Sequence, residues 1–270
     1  MKRLLTRVVT ALVLVIILLV VFFRLPPAAA AGLLTVFTVA AAWEWGGFVS
    51  ANATPWRIGF AVTVALIIGL LGLANPEKIP VMPILYAALL WWCLALVLVL
   101  RFPVSLPTAW RLPCGLLVLV PAWVAMLTVL RSPSGGPELL LLALAVVWAA
   151  DVGAYFTGRQ FGRTRLAPRV SPGKTWEGVG GGLVATALVA TAGAALLQLP
   201  APGLVLISVA AAAISIIGDL TVSIFKRTVG LKDSGSLFPG HGGVLDRIDS
   251  LTAAMPLFVV CAVWLGYLQL

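Results

Sequence analysis

Charged side chains are scarce in this chain. They make up 10% of its 270 residues, against roughly 25% in soluble globular domains. With 61% hydrophobic residues, there is too little polar surface to cover a core in water, which excludes an ordinary soluble fold. Cysteine is scarce as well. Cys93, Cys114 and Cys261 are odd in number, lie in or beside apolar runs and form no Cys-x-x-Cys spacing. That excludes a disulfide framework and a thiolate zinc site, and the three are read as packing residues. Histidine occurs once, at His241, and acidic residues number only nine. Lys and Arg outnumber them, for a net charge of +9, yet they stand in small groups between apolar runs. No nucleic-acid partner is expected, because that would call for a dense basic face.

What is present is a succession of apolar runs of about 20 residues, the length that crosses ~30 Å of hydrocarbon. Nine spans are predicted: 8–23, 28–49, 58–73, 80–100, 112–130, 139–156, 179–197, 204–225 and 251–270. Helices are expected, because lipid offers no partner to open backbone groups and the period-2 alternation of a membrane barrel is missing. The fold class is therefore all-α and polytopic. Proline pairs such as Pro26-Pro27 and Pro200/Pro202 fall between runs, where a missing N–H and a fixed φ end helices.

Alternating the loops across the bilayer puts fifteen of the eighteen Lys and Arg on the side of the N-terminus and leaves only Arg24, Lys78 and Arg131 opposite. The positive-inside rule then makes the N-terminus cytoplasmic and the C-terminus periplasmic, in a bacterial cytoplasmic (inner) membrane. Lys2, Arg3 and Arg7 before the first run, and Ala28 to Ala30 after it, imitate a cleavable signal. The run of 16 residues is long for one, so a retained helix is expected. Residues 1–130 read as scaffold and lipid-facing surface. Residues 131–270 read as the catalytic region, with cytoplasmic loops 157–178 and 226–249. No fixed-period or inverted repeat points to a transporter.

Six of the nine acids, Asp151, Glu177, Asp219, Asp233, Asp246 and Asp249, lie between 151 and 249. Asp219 is inside the eighth span, ~10 Å before Lys226, with Ser215 and Ser223 on its helical face. Intramembrane acids are costly and point to function. Asp246 and Asp249 stand at the head of the ninth span, three residues apart, and so share a helical face. The three aspartates, without a Cys/His cluster, suit a hard cation such as Mg²⁺, and leave room for a second cation such as K⁺. Glu44, between Trp43 and Trp45, is read as an interfacial residue outside the site.

Between these acids run Lys226-Arg227, Lys232-Asp233, Gly235 and Pro239-Gly240-His241-Gly242-Gly243. Such cations can hold a triphosphate, and the glycines allow backbone N–H groups close to phosphate oxygens. An earlier stretch, Asp151-x-Gly-Ala-Tyr-Phe-x-Gly-Arg followed by Ser171-Pro-Gly-Lys-Thr-Trp-Glu-Gly, adds a second polar cluster. Its Gly173-Lys174-Thr175 is not a P-loop, since the first glycine of that motif would fall at Pro168. Lys174 remains a candidate phosphate ligand.

The stretch from Ser223 to Asp249, with Lys232-Asp233-Ser234-Gly235 and Phe238-Pro-Gly-His-Gly-Gly-Val-Leu-Asp-Arg-Ile-Asp249 inside it, resembles the signature of phosphatidate cytidylyltransferases, or CDP-diacylglycerol synthases. The likeness extends over residues 151 to 249. It implies that CTP and phosphatidic acid give CDP-diacylglycerol and pyrophosphate with Mg²⁺ at the cytoplasmic boundary among membrane lipids, and it allows a homodimer. By the same resemblance Asp219, Asp246 and Asp249 are expected to hold the cation. Lys174, Lys226, Arg227 and Lys232 would neutralise phosphates, and Asp233, His241 and Arg247 would orient the substrates. Asp151, Thr175, Glu177, Ser223, Gly242 and Gly243 complete the expected substrate site. Two rivals are weaker: a CDP-alcohol phosphotransferase lacks its Asp-x-x-Asp-Gly motif here, and an ion-coupled transporter using Asp219 needs no loop crowded with Lys, Gly and His.

Overall fold

A computed structural model describes residues 2–50, 53–74, 79–104, 106–133, 135–237 and 242–270, with side chains from residue 12 onward. Among these residues there are nine helices: α1 (Lys2–Arg24), α2 (Pro27–Gly46), α3 (Thr54–Leu73), α4 (Val81–Arg101), α5 (Thr108–Leu130), α6 (Gly136–Phe161), α7 (Trp176–Leu197), α8 (Ala201–Thr228) and α9 (Leu245–Trp264). Eight of them, α2 to α9, are long and apolar enough to cross a membrane. Proline stands in the first turn of α2, α3, α6 and α8, where its absent N–H is no loss. The polytopic all-helical expectation holds.

Two features differ from the sequence reading. The loop after α6 carries a two-stranded antiparallel hairpin, β1 (Arg165–Ala167) and β2 (Ser171–Thr175), with Arg165 opposite Thr175 and Ala167 opposite Ser171. Val170 of this hairpin is buried against Leu220 and Ile224 of α8. The ninth helix begins at Leu245, ahead of the apolar run predicted from 251, and ends at Trp264. Hydropathy cannot place that start, because the first turns of α9 carry Asp246, held by Lys226 of α8 and the Ser234 N–H, and Asp249.

α5 and α9 are the inner helices, each about two-thirds buried along its apolar stretch, whereas α3 and α7 are only 22% buried. α9 packs on α8, α5, α4, α6 and α2, and α6 packs most closely on α7. Glycine sets that last approach: a Cβ at Gly182 would stand 2.6 Å from the Ala150 carbonyl oxygen, and one at Gly153 would stand 2.7 Å from the Ala185 Cβ. In a bilayer, where no hydrophobic drive joins helices, such close backbone packing is a main source of association. Gly182→Leu is therefore expected to destabilise the fold by about 1–3 kcal/mol. Thermal unfolding in detergent would read this, and an unchanged midpoint would mean that the α6–α7 contact contributes little.

Candidate active site

The helices alternate in direction, so the ends of α2, α4, α6 and α8 and the starts of α5, α7 and α9 meet at one end of the bundle. There a cavity of about 750 Å³ opens between α6, the hairpin, α7, α8 and α9. Its walls carry Asp151, Lys174, Asp219, Lys226, Asp249 and Arg247.

Asp219 is not alone in the apolar region. Its Oδ2 pairs with Lys174 Nζ of β2 at 2.6 Å, and its Oδ1 accepts a hydrogen bond from Ser223 Oγ, one turn on, at 3.2 Å. The hairpin's role follows from this: docked through Val170, it swings Lys174 back over α8. Lys226, at the end of α8, is buried and meets Asp246 Oδ1 at 2.7 Å. The other oxygen of Asp246 accepts the backbone N–H groups of Ser234 and Gly243, at 2.8 and 3.0 Å. Asp249 is buried, takes the N–H of Ser250 on Oδ1 at 2.8 Å, and has Asp219, Asp151 and Lys226 as electrostatic neighbours.

The remaining residues divide. Asp233 and Thr175 line the cavity, and Thr175 Oγ1 also caps α7 by accepting the N–H of Gly178. Glu177 accepts the N–H groups of Arg163 and Thr164 at 3.1 Å, which ties the start of the hairpin to α7. Arg227 is exposed and donates to the Leu231 carbonyl at 3.2 Å, closing the end of α8. Lys232 is exposed on the loop. Gly242 has φ +80°, a conformation that favours glycine. His241, with residues 238–240, lies outside the described residues.

Glu44 is a correction. It is 5% exposed, not interfacial, and sits under the loop that joins α8 to α9. The rule that singled out Asp219, an acid inside an apolar span, applied equally to Glu44. The flanking tryptophans diverted it: Trp43 is exposed but Trp45 is fully buried.

Whether this donor set suits a hard cation can be judged from the side chains. Asp151, Asp219 and Asp249 place three carboxyl groups around one cavity, with Asp219 paired to Lys174, and oxygen donors of this kind suit a hard divalent cation. Among the described residues no three His, Cys, Asp or Glu side chains form a ready-made metal cluster, and Asp246 is already engaged by Lys226 and two backbone donors. The set fits a cation that takes part of its coordination from substrate phosphates.

A profile of the cytidylyltransferase family matches residues 5–265. The chain belongs to this family. It is 44% identical over 260 residues to the phosphatidate cytidylyltransferase of Pseudomonas aeruginosa, spanning 93% of this chain and 94% of that one. It is 47% identical over 192 residues to that of Haemophilus influenzae, or 65% and 66% of the two chains. The match to the Bacillus subtilis enzyme is 43% over 123 residues, 45% and 46% of the respective lengths. Family membership gives no support to the transporter reading. Asp219, the residue that reading rested on, is bound to Lys174.

Proposed function

We infer that the chain is a phosphatidate cytidylyltransferase. The observation that carries this is a cavity lined by both acids and cations at one end of a membrane bundle, in a chain matched to the family over nearly its whole length. An anionic lipid and a nucleotide triphosphate meet only where water and bilayer meet. A phosphate oxygen of phosphatidic acid attacks the α-phosphorus of CTP. The bond from that phosphorus to the bridging oxygen breaks, and its electron pair leaves with pyrophosphate. The attacking oxygen is already ionised, so no general base is needed, and positioning with charge neutralisation supplies the rate.

In this reading Lys174, Lys226, Lys232 and Arg227 neutralise phosphates, while Asp233, Arg247 and His241 orient the substrates. Asp219 and Asp249, with Asp246 once Lys226 turns to substrate, would hold Mg²⁺. When bound, the ion screens the triphosphate's charge and polarises its α-phosphorus. A second cation such as K⁺, and assembly as a homodimer, belong to the same proposal. The cytoplasmic orientation rests on the bias of Lys and Arg toward one side, and on CTP being a soluble nucleotide.

Purified protein incubated with CTP, phosphatidic acid and Mg²⁺ is expected to release pyrophosphate and form a CDP-lipid in equal amounts. Absence of both products in a folded sample would overturn the reading.

A further inference from the structure

Among the described residues, Glu44 is the one buried carboxylate near the site that does not line the cavity. Like Asp246, it accepts three hydrogen bonds. Its Oε2 accepts from Ser234 Oγ at 2.7 Å and from the N–H of Leu245 at 2.8 Å, and its Oε1 accepts from the N–H of Val244 at 2.9 Å. These donors lie 190 to 201 residues away in sequence. We propose that Glu44 is a positioning residue for the loop between α8 and α9. From α2 it clamps Ser234 to the head of α9, setting Asp246, Lys226, Asp233 and Arg247 in register with the cavity. The kinetic part of this proposal rests on the cytidylyltransferase reading, and the structural part does not.

Three further observations support the clamp. Ser234 and Gly243 are also the backbone donors to Asp246 Oδ2, so two carboxylates from different helices draw the two ends of the loop together. α9 has no side-chain cap of its own, and the Glu44 charge takes that place, where a helix N-terminus favours an anion. Finally, the loop's glycines are shaped to it: a Cβ on Gly235 or Gly243 would collide with the Glu44 carboxylate. Both glycines are therefore needed for the approach of Glu44, independently of any phosphate.

Glu44 is itself held still. The indole N–H of Trp45 donates to the Arg111 carbonyl at 2.8 Å, and Arg111 Nη1 donates to the Phe48 carbonyl at 2.7 Å. The Trp45 ring lies 4.8 Å from that of Phe225, the residue before Lys226. The end of α2 is thus fixed to α5 and to the part of α8 that carries the lysine, and a rigid support is what precise placement requires.

The test is Glu44→Gln, which keeps the shape but turns one acceptor into a donor facing a donor. Hydrogen exchange in detergent is expected to accelerate on the order of 10-fold or more at Ser234, Val244 and Leu245, with the amides of α5 unchanged. In the same preparation kcat is expected to fall about 10- to 100-fold with KM for CTP little changed, the pattern of a misplaced site. Ser234→Ala, which removes one of the three bonds and spares the charge, should move both readouts less and in the same direction. It stands in if Glu44→Gln does not fold. Unchanged exchange overturns the clamp, and faster exchange with full kcat overturns its positioning role. If the wild type lacks turnover, the exchange result still decides the clamp, and only the functional reading fails.

Discussion

Lys226→Met is expected to lose both stability and turnover, and adding Asp246→Asn is expected to restore much of the stability and none of the turnover. The Lys226 and Asp246 side chains are only 10% and 6% exposed, so their contact is screened little by water. Removing one partner of a buried pair leaves an uncompensated charge and costs about 3–5 kcal/mol, whereas removing both can be nearly neutral. Asp246 keeps two backbone donors in the single variant, which places the loss toward the lower end of that range. Turnover should fall on the order of 10²-fold or more in both variants, because the proposed mechanism sets the Lys226 cation against developing phosphate charge and it is gone in each. Thermal unfolding in detergent and pyrophosphate release measure the two effects separately. A single variant as stable as the wild type would reduce the pair to a surface-like contact, and a double variant that turned over would remove Lys226 from the chemistry.

The second large effect has the opposite sign for stability. Asp249→Asn is expected to lower turnover on the order of 10²- to 10³-fold while the metal-free midpoint does not fall. Asp249 is buried beside Asp219 and Asp151; Lys174 pairs with Asp219 and Lys226 with Asp246, so among the described residues Asp249 has no ion-pair partner, and burying its charge without one costs stability. Such a site trades stability for function. Magnesium should raise the midpoint of the wild type, adding about 2.7 kcal/mol of stability at a hundredfold excess over Kd, and should leave Asp249→Asn almost unmoved. A magnesium shift that survived the substitution would take Asp249 out of the proposed ligand set, whatever the activity did.

Much of this was legible before any coordinates. The spans α2 to α9 could be read off the sequence because hydrocarbon demands about 20 apolar residues per crossing and punishes every charge in it. Asp219 stood out for the same reason. The stretch from Ser223 to Asp249 concentrates polar residues in a chain with few to spare, and its pattern indicated the family.

The hairpin was not legible. Arg165-Leu-Ala and Ser171-Pro-Gly-Lys-Thr are short, lack alternation and contain the residues that argue against strands. Their pairing is stabilised by the packing of Val170 on α8, which no local signal encodes. Gly235 and Gly243, in the loop between α8 and α9, were legible as close approaches, but not what approaches them.

By itself the sequence determined that this chain spans a membrane, roughly where each helix runs, and which polar residues had to matter, since each follows from local composition weighed against lipid. Only the tertiary structure decided who meets whom: Lys174 with Asp219, Lys226 with Asp246, and Glu44 with a loop 190 residues away. The interior of a membrane bundle is as apolar as its lipid-facing side, so hydropathy does not tell neighbours apart. Close packing, and the need of each buried charge for a partner, does so once the helices have assembled.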